Sequence, residues 1–140
     1  MCTMLWKSSR LSILLGGLLL LVACGSSGPI TATLTDSSIQ LSRTTASAGN
    51  VTFAITNATT SGEKHEFVVV QTDLPADQLP KSADGLVDEE KLTSFGEQGD
   101  IEPGKTVDLT VDLHPGRYLM ICNLPGHFNA GMHAEFTVTQ

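Results

Sequence analysis

Apolar and polar residues alternate along most of the chain after position 29, which is the pattern of β-strands that bury one face. Clusters of Gly, Pro, Asn and Ser separate the alternating stretches and are typical of turns. The alternation predicts half-buried strands over residues 30–34, 39–41, 51–57, 107–113 and 133–139.

Two further stretches are apolar without alternation. Residues 64–71 contain the run Phe-Val-Val-Val, and residues 118–121 read Tyr-Leu-Met-Ile. Continuous β-branched and aromatic runs of this length indicate strands that are covered on both faces. Short strands with turn signals between them predict an all-β domain, either a β-sandwich or a barrel.

Residues 73–105 depart from this pattern. The stretch is polar and acidic, and it contains Pro75, Pro80 and Pro103. Within it, residues 88–95 are predicted to form two helical turns, because their acidic side chains lie at the N-terminal end, where the helix dipole favours them. We therefore expect a polar loop with a short helix, inserted as a connection across the sandwich, and no second domain.

The first 23 residues differ in composition from the rest of the chain. Lys7 and Arg10 are followed by residues 11–23, which carry no charge. This run is shorter than the roughly 20 apolar residues that a membrane-spanning helix needs. A basic start, a short apolar core and a small residue before a break are typical of an export signal. The alternative, a buried N-terminal helix, would need an amphipathic pattern that is absent here.

Residues 21–24, Leu-Val-Ala-Cys, resemble a bacterial lipobox, in which the cysteine is lipidated and becomes the new N-terminus. We therefore predict a lipoprotein signal peptide at 1–23, a lipidated tether at 24–29 that begins with Cys24, and one domain at 30–140. Lipid on Cys24 would anchor this domain to a cell membrane outside the cytoplasm, in the periplasm or on the outer face. An ordinary secretory signal cut nearby is the alternative.

The charge of the chain narrows the possible partners. The formal net charge is −7, with 15 acidic residues against 8 basic ones, and all the acidic residues follow the leader. This balance argues against nucleic acid as a partner, because nucleic-acid binding needs a clustered basic surface.

One of the three cysteines is predicted to remain as a free thiol. Of the three, Cys2 leaves with the leader and Cys24 would be blocked by lipid. A single thiol, Cys122, would then enter an oxidising compartment, where an unpaired cysteine needs an explanation.

Residues 122–132 supply a chemical explanation. They place a thiolate at Cys122, an imidazole at His127 and a thioether at Met132, at five-residue intervals on a loop between the last two strands. Soft sulfur ligands beside imidazole favour copper over calcium, magnesium or manganese. Two histidines, one cysteine and a weak axial methionine form a blue-copper site, so one more histidine is needed.

Three other histidines are available. His65 begins the most apolar internal strand and shares a face with Phe67 and Val69, so it points at the core. A buried histidine often satisfies only a hydrogen bond, but the incomplete ligand set makes His65 the predicted fourth ligand. His114 lies in a turn, and His133 alternates away from the preceding methionine, so both are predicted to lie at the surface or rim.

The sequence Cys-Asn-Leu-Pro-Gly-His-Phe-Asn-Ala-Gly-Met, preceded by Pro-Gly-Arg-Tyr-Leu-Met-Ile, resembles the copper loop of the cupredoxins. Its spacing is similar to that of rusticyanins and sulfocyanins. The resemblance implies a Greek-key β-sandwich of about eight strands that binds one type 1 copper ion. It also implies that the equatorial ligands are Cys122, His65 and His127. The weak axial ligand would be Met132.

The residue after the first histidine departs from the family. Many cupredoxins have Asn or Ser there, where it helps to brace the copper loop, and this chain has Glu66. A carboxylate near copper would favour the oxidised, more positive ion. In the alternative interpretation Glu66 points to solvent and has no effect on copper.

The resemblance further implies a monomer that carries single electrons between redox partners, such as a cytochrome, an oxidase or another copper protein, and that is not an enzyme. His127 would be the electron port. An apolar collar for docking is expected around it, formed by Leu124, Pro125, Phe128 and Ala130.

Two other functions compete with electron transfer. A membrane-tethered copper carrier or sensor is the first, although the chain lacks the Met-rich or His-rich tracts often seen in such proteins. An enzyme with a Cys–His nucleophile pair is the second, but the five-residue spacing and the aligned Met132 fit a set of metal ligands better.

Overall fold

The computed structural model describes residues 28–140. The predicted signal peptide at 1–23 and the lipidated Cys24 lie outside the described residues, and their assignment stays a prediction. Within residues 28–140, no helix has the length and apolar character needed to cross a membrane.

Nine strands make up most of the described chain. In chain order they are β1 (Ile30–Leu34), β2 (Ile39–Leu41), β3 (Thr45–Ser47), β4 (Gly49–Asn57), β5 (His65–Gln71), β6 (Thr93–Ile101), β7 (Thr106–Leu113), β8 (Gly116–Ile121) and β9 (His133–Thr139). Every strand predicted from alternation or from a continuous apolar run is present. The all-β prediction is therefore confirmed.

The strands form two sheets that pack face to face as a sandwich. One sheet has the order β2-β1-β4-β7, and the other has the order β3-β9-β8-β5-β6. β1 runs parallel to β4, and β3 runs parallel to β9, whereas the other pairs are antiparallel. Most neighbours in a sheet are distant in sequence, so the chain crosses repeatedly between the layers.

The inward faces of the two sheets enclose one apolar core. Phe53 of β4, Phe67 of β5 and Phe136 of β9 lie at its centre and are almost completely buried. The ring centroid of Phe53 lies 5.3 Å from that of Phe67 and 5.6 Å from that of Phe136. Aromatic rings in tilted and edge-on contact at these distances add to the free energy gained from burial.

A second apolar cluster covers the outer face of β5 and β8. Its buried members are Val68, Val70, Leu79, Val87, Leu119, Ile121 and Phe128. Leu79 and Val87 belong to residues 73–92, which cross the outside of the sheet. This cover explains why β5 and β8 are apolar on both faces, as predicted from their continuous runs.

The predicted insertion is shorter than expected, and its helix is reduced to a single turn. Residues 88–95 were expected to form two helical turns, but they contain one 3₁₀ turn at Glu89–Lys91 and the start of β6. The strand signal of β6 is weak because its residues are mostly polar or Gly. β6 forms because β5 offers a free edge for pairing. Gly96 suits its position in β6, because a Cβ there would lie only 2.7 Å from the Val111 side chain and would clash with it.

Loops gather at the two ends of the sandwich. The upper end includes residues 35–38, 58–64 and 122–132, which follow β1, β4 and β8. Gly28, the first described residue, precedes β1 and therefore lies at the opposite, lower end.

Phe53→Ala is expected to lower the free energy of unfolding by about 3–5 kcal/mol, because it leaves a cavity where three rings meet. Thr137→Ala, at an exposed position of β9, is expected to change it by less than about 0.5 kcal/mol. Urea unfolding followed by circular dichroism measures both values. A loss below about 1 kcal/mol for Phe53→Ala would show that the ring cluster is not the centre of the core.

Candidate metal centre

Three donor side chains converge at the upper end of the sandwich. The Nδ1 atoms of His65 and His127 are 3.1 Å apart. The Cys122 sulfur lies 3.5 Å from Nδ1 of His127 and 4.0 Å from Nδ1 of His65. The residues lie far apart in sequence, yet their donor atoms form one compact triangle.

Strand pairing brings two of these donors together. β5 and β8 are antiparallel, with Val68 opposite Ile121, so the start of β5 lies beside the end of β8. His65 is the first residue of β5, and Cys122 directly follows β8. Both side chains are completely buried.

The loop between β8 and β9 brings in the third donor. The Cys122 N–H donates to the Met132 carbonyl, and the Met132 N–H donates to the His127 carbonyl, each at 3.1 Å. These bonds close the loop so that His127 lies over Cys122. Gly126 and Gly131 make this possible, because their φ angles of 84° and 111° lie where other residues are strained.

The triangle has the size that a small metal ion needs. A triangle with sides of 3.1, 3.5 and 4.0 Å has a circumradius of about 2.1 Å, so one point lies about 2.1 Å from all three donor atoms. For comparison, zinc–imidazole bonds in proteins are about 2.0–2.1 Å long and zinc–thiolate bonds are about 2.3 Å long. The donor set of two imidazoles and a thiolate suits copper.

Met132, the predicted axial ligand, is completely buried at the end of the same loop. Its backbone bonds to His127 and Cys122 place it next to both residues. The structure therefore brings together all four residues that the sequence predicts as ligands. His114 is exposed, and His133 is only partly buried and packs on Phe128, with ring centroids 5.3 Å apart.

Burial shifts the pKa values of two of the donors, His65 and Cys122, when no cation is bound. Burial lowers the pKa of His65, and the nearby His127 lowers it further, which favours the neutral imidazole that binds metals. Burial raises the pKa of the Cys122 thiol, because the thiolate loses hydration. A bound cation reverses this preference, since a thiol that coordinates a metal loses its proton.

Glu66 does not point into solvent. Its Oε1 accepts a hydrogen bond of 2.7 Å from the Asn123 N–H, and its own N–H points at the Cys122 sulfur at 3.5 Å. The residue after the first histidine thus links β5 to the loop that follows β8. Burial raises the pKa of the Glu66 carboxyl, and the Asn123 N–H opposes that rise.

The sequence interpretation missed two acidic residues at this end of the sandwich. Glu63 has its Oε2 3.6 Å from Nε2 of His127. Asp36 orders the segment that carries Glu63, because its carboxylate accepts hydrogen bonds from Thr59, Thr60 and Ser61. No local motif marks these contacts, since Asp36 lies more than 20 residues before its partners.

The fold and the donor set define the class of the protein. A β-sandwich that carries two histidines, one cysteine and one methionine at one end is a cupredoxin, or type 1 copper protein. A family model described as the sulfocyanin (SoxE) domain matches residues 16–140, so the chain belongs to the sulfocyanin family. Cupredoxins carry electrons and bind one copper ion, which confirms the predicted cofactor. No curated protein sequence gives a significant match to this chain.

Solved structures of related proteins share the sandwich. Reduced auracyanin from Roseiflexus castenholzii has a TM-score of 0.61 at 21% identity, over 83% of this chain and 100% of that one. Auracyanin A from Chloroflexus aurantiacus, described as a "blue" copper protein, has a TM-score of 0.54 at 23% identity, over 80% and 100%. Rusticyanin from Thiobacillus ferrooxidans has a TM-score of 0.55 at 22% identity, over 82% and 79%. These similarities confirm the fold.

Asp36→Asn is expected to destabilise the protein at neutral pH and to have a smaller effect near pH 2. The hydrogen bonds from Thr59, Thr60 and Ser61 hold the pKa of Asp36 far below its usual value. A lowered folded-state pKa contributes stability that is fully present above the unfolded-state pKa of about 3.9 and that shrinks as the pH falls from there towards the folded-state value. Urea unfolding at pH 7 and near pH 2 measures the difference, with the exposed Asp108→Asn as control. An equal loss at both pH values would contradict this role.

Glu66→Gln is expected to raise the reduction potential of the copper site at neutral pH. The variant keeps an oxygen that can accept from the Asn123 N–H, but it removes a negative charge that favours Cu(II). Loss of one nearby negative charge is expected to raise the potential by on the order of tens of millivolts. Spectroelectrochemical titration measures it, with Glu135→Gln on the exposed face of β9 as a charge-matched control. Equal potentials in Glu66→Gln and the parent would mean that the Glu66 charge does not act on copper.

Proposed function

We propose that this protein carries single electrons between extracytoplasmic redox partners, as a monomer anchored at a membrane surface. His65, Cys122 and His127 would be the equatorial ligands of its copper ion, and Met132 would be the weak axial ligand. The observation that carries the proposal is the convergence of the three buried or nearly buried donors to separations of 3.1–4.0 Å.

The chain supports electron transfer by holding its donors in place. Bound copper supplies the one-electron chemistry, because it alternates between Cu(II) and Cu(I). His65 is fixed by β5, and Cys122 is fixed by the end of β8 and by its bond to Met132. Donors that are held by sheet pairing and by a closed loop need to move little when the charge of the site changes.

His127 is the donor best placed to pass electrons to a partner. Its side chain is 15% exposed, whereas His65 and Cys122 are completely buried. Pro125 and Ala130 are exposed beside it and form an apolar rim. Weak redox encounters bury less than about 1,200 Å² in total, so a small rim of this kind is sufficient.

The predicted collar around His127 is smaller than expected. Phe128 does not belong to it, because its ring is 7% exposed and packs into the outer cluster with Leu79 and Val87. The carboxylate of Glu63, which is exposed next to His127, gives this rim an acidic side. Such a rim suits a partner with basic groups around its own redox centre, whether a cytochrome, an oxidase or another copper protein.

The location at a membrane rests on the sequence of the first 24 residues. The chain that follows a lipidated Cys24 would join the sandwich at Gly28, at the lower end. The metal site lies at the upper end, so the anchored protein would direct His127 away from the lipid surface. This arrangement suits a partner, or a partner domain, that projects into the aqueous phase.

Copper binding is tested by the visible spectrum. Adding Cu(II) to the copper-free protein is expected to produce an intense thiolate-to-copper absorption that makes the protein blue or green. Cys122→Ser is expected to abolish this absorption, and Met120→Leu, a buried methionine on β8 outside the ligand set, is expected to retain it. A colourless parent protein would disprove the type 1 site.

Redox cycling separates an electron carrier from a copper carrier or sensor. Stopped-flow mixing of the copper-loaded protein with a reduced cytochrome, and then with an oxidant, is expected to give repeated reduction and reoxidation without loss of copper. The rates should fall as the ionic strength rises when the partner is basic. Release of copper on reduction would favour the carrier or sensor.

A further inference from the structure

The segment that crosses the outside of the sheet is attached to the metal loop by one side chain. Asn123, directly after the donor Cys122, accepts a hydrogen bond of 2.8 Å from the Val87 N–H through its Oδ1. Its Nδ2 donates to the Val87 carbonyl at 2.9 Å and to Oε1 of Glu89 at 2.8 Å. The amide side chain thus satisfies both backbone groups of Val87, as a neighbouring strand would.

The backbone of Asn123 is held from the opposite direction. Its N–H donates to Oε1 of Glu66 at 2.7 Å. Asn123 is therefore fixed on one side by β5 and on the other by residues 87–89. Because Asn123 is bonded to Cys122 through the chain, these contacts restrict where the Cys122 backbone can lie.

The same segment contacts the metal loop at a second place. Phe128, directly after His127, packs with Leu79 and Val87 in the outer cluster. Nζ of Lys81 donates to Oδ1 of Asn129 at 2.7 Å and lies 5.4 Å from the centre of the Phe128 ring. The outer segment therefore contacts the residue that follows each of two donors, Cys122 and His127.

We propose that Asn123 is a positioning residue, and that residues 79–89 form a brace that holds the metal loop from outside the sheet. The brace limits the movement of Cys122 and His127 relative to His65 when the charge of the site changes. This role rests on the proposed electron-carrier function, but the brace itself is a property of the chain and can be measured without copper.

The first test uses the full-length, copper-free protein and measures amide hydrogen exchange by NMR. Asn123→Ala is expected to speed exchange of the Val87 N–H, which loses its acceptor, by about tenfold or more. If the brace holds the loop, the N–H groups of Cys122, His127 and Met132 also exchange about tenfold faster. Asn50→Ala, at an exposed position of the lower end, is the matched control and should leave these rates unchanged.

A milder variant keeps the test informative if Asn123→Ala does not fold. Glu89→Ala removes one of the three side-chain bonds of Asn123 and lies in a short surface turn. It is expected to speed exchange in the metal loop by a smaller factor than Asn123→Ala. Unchanged exchange of the Cys122, His127 and Met132 amides in both folded variants would overturn the proposal, even if the Val87 amide exchanges faster.

The second test uses the copper-loaded protein and measures the electron self-exchange rate by NMR line broadening. A looser loop must rearrange more at each transfer, so Asn123→Ala is expected to slow self-exchange by about tenfold and to shift the thiolate-to-copper absorption band. If Asn123→Ala has the same self-exchange rate and the same absorption band as the parent protein, the proposal is also overturned. If the parent protein binds no copper, the proposed function fails, and the exchange experiment alone decides on the brace.

Discussion

The antiparallel pairing of β5 with β8 is the constraint on which the metal centre depends. This pairing places the first residue of β5, His65, beside Cys122 at the end of β8, and it buries both side chains. The register is held by apolar side chains on both faces of the two strands. A slip of one residue would turn His65 and Phe67 out of the core together, because side chains alternate across a strand. The same packing therefore specifies the core and the position of two donors.

Burial of the donors links metal binding to the stability of the upper end. Burial lowers the pKa of the His65 imidazole and raises that of the Cys122 thiol, which favours the uncharged form of each when no cation is present. Burying polar atoms costs free energy, and a bound metal ion would offset part of that cost for the Cys122 sulfur and for Nδ1 of His65 and His127. The burial that makes the site rigid therefore also favours the binding of a metal ion.

The loop that completes the site is supported from several directions. Glu66 connects it to β5, and Asn123 connects it to Val87 on the outside of the sheet. On the side of His127, the carboxylate of Asp36 orders the segment that presents Glu63. A set of four candidate ligands needs such supports, because only His65 belongs to a strand, as the first residue of β5, and the other three lie in the loop between β8 and β9.

Local sequence patterns were enough to predict the four donor residues and most of the strands. Five-residue spacing identified Cys122, His127 and Met132, and alternation along one strand directed His65 toward the core. Features that depend on contacts between distant segments could be seen only in the folded chain. β6 has weak strand propensity and forms only along β5. Phe128 is buried because the segment that contains Leu79 and Val87 covers it. Asn123 and Val87 lie 36 positions apart, and no pattern near either residue indicates that they meet. Local patterns specify which face of an element is buried, whereas the partners of polar side chains are set by how the elements pack.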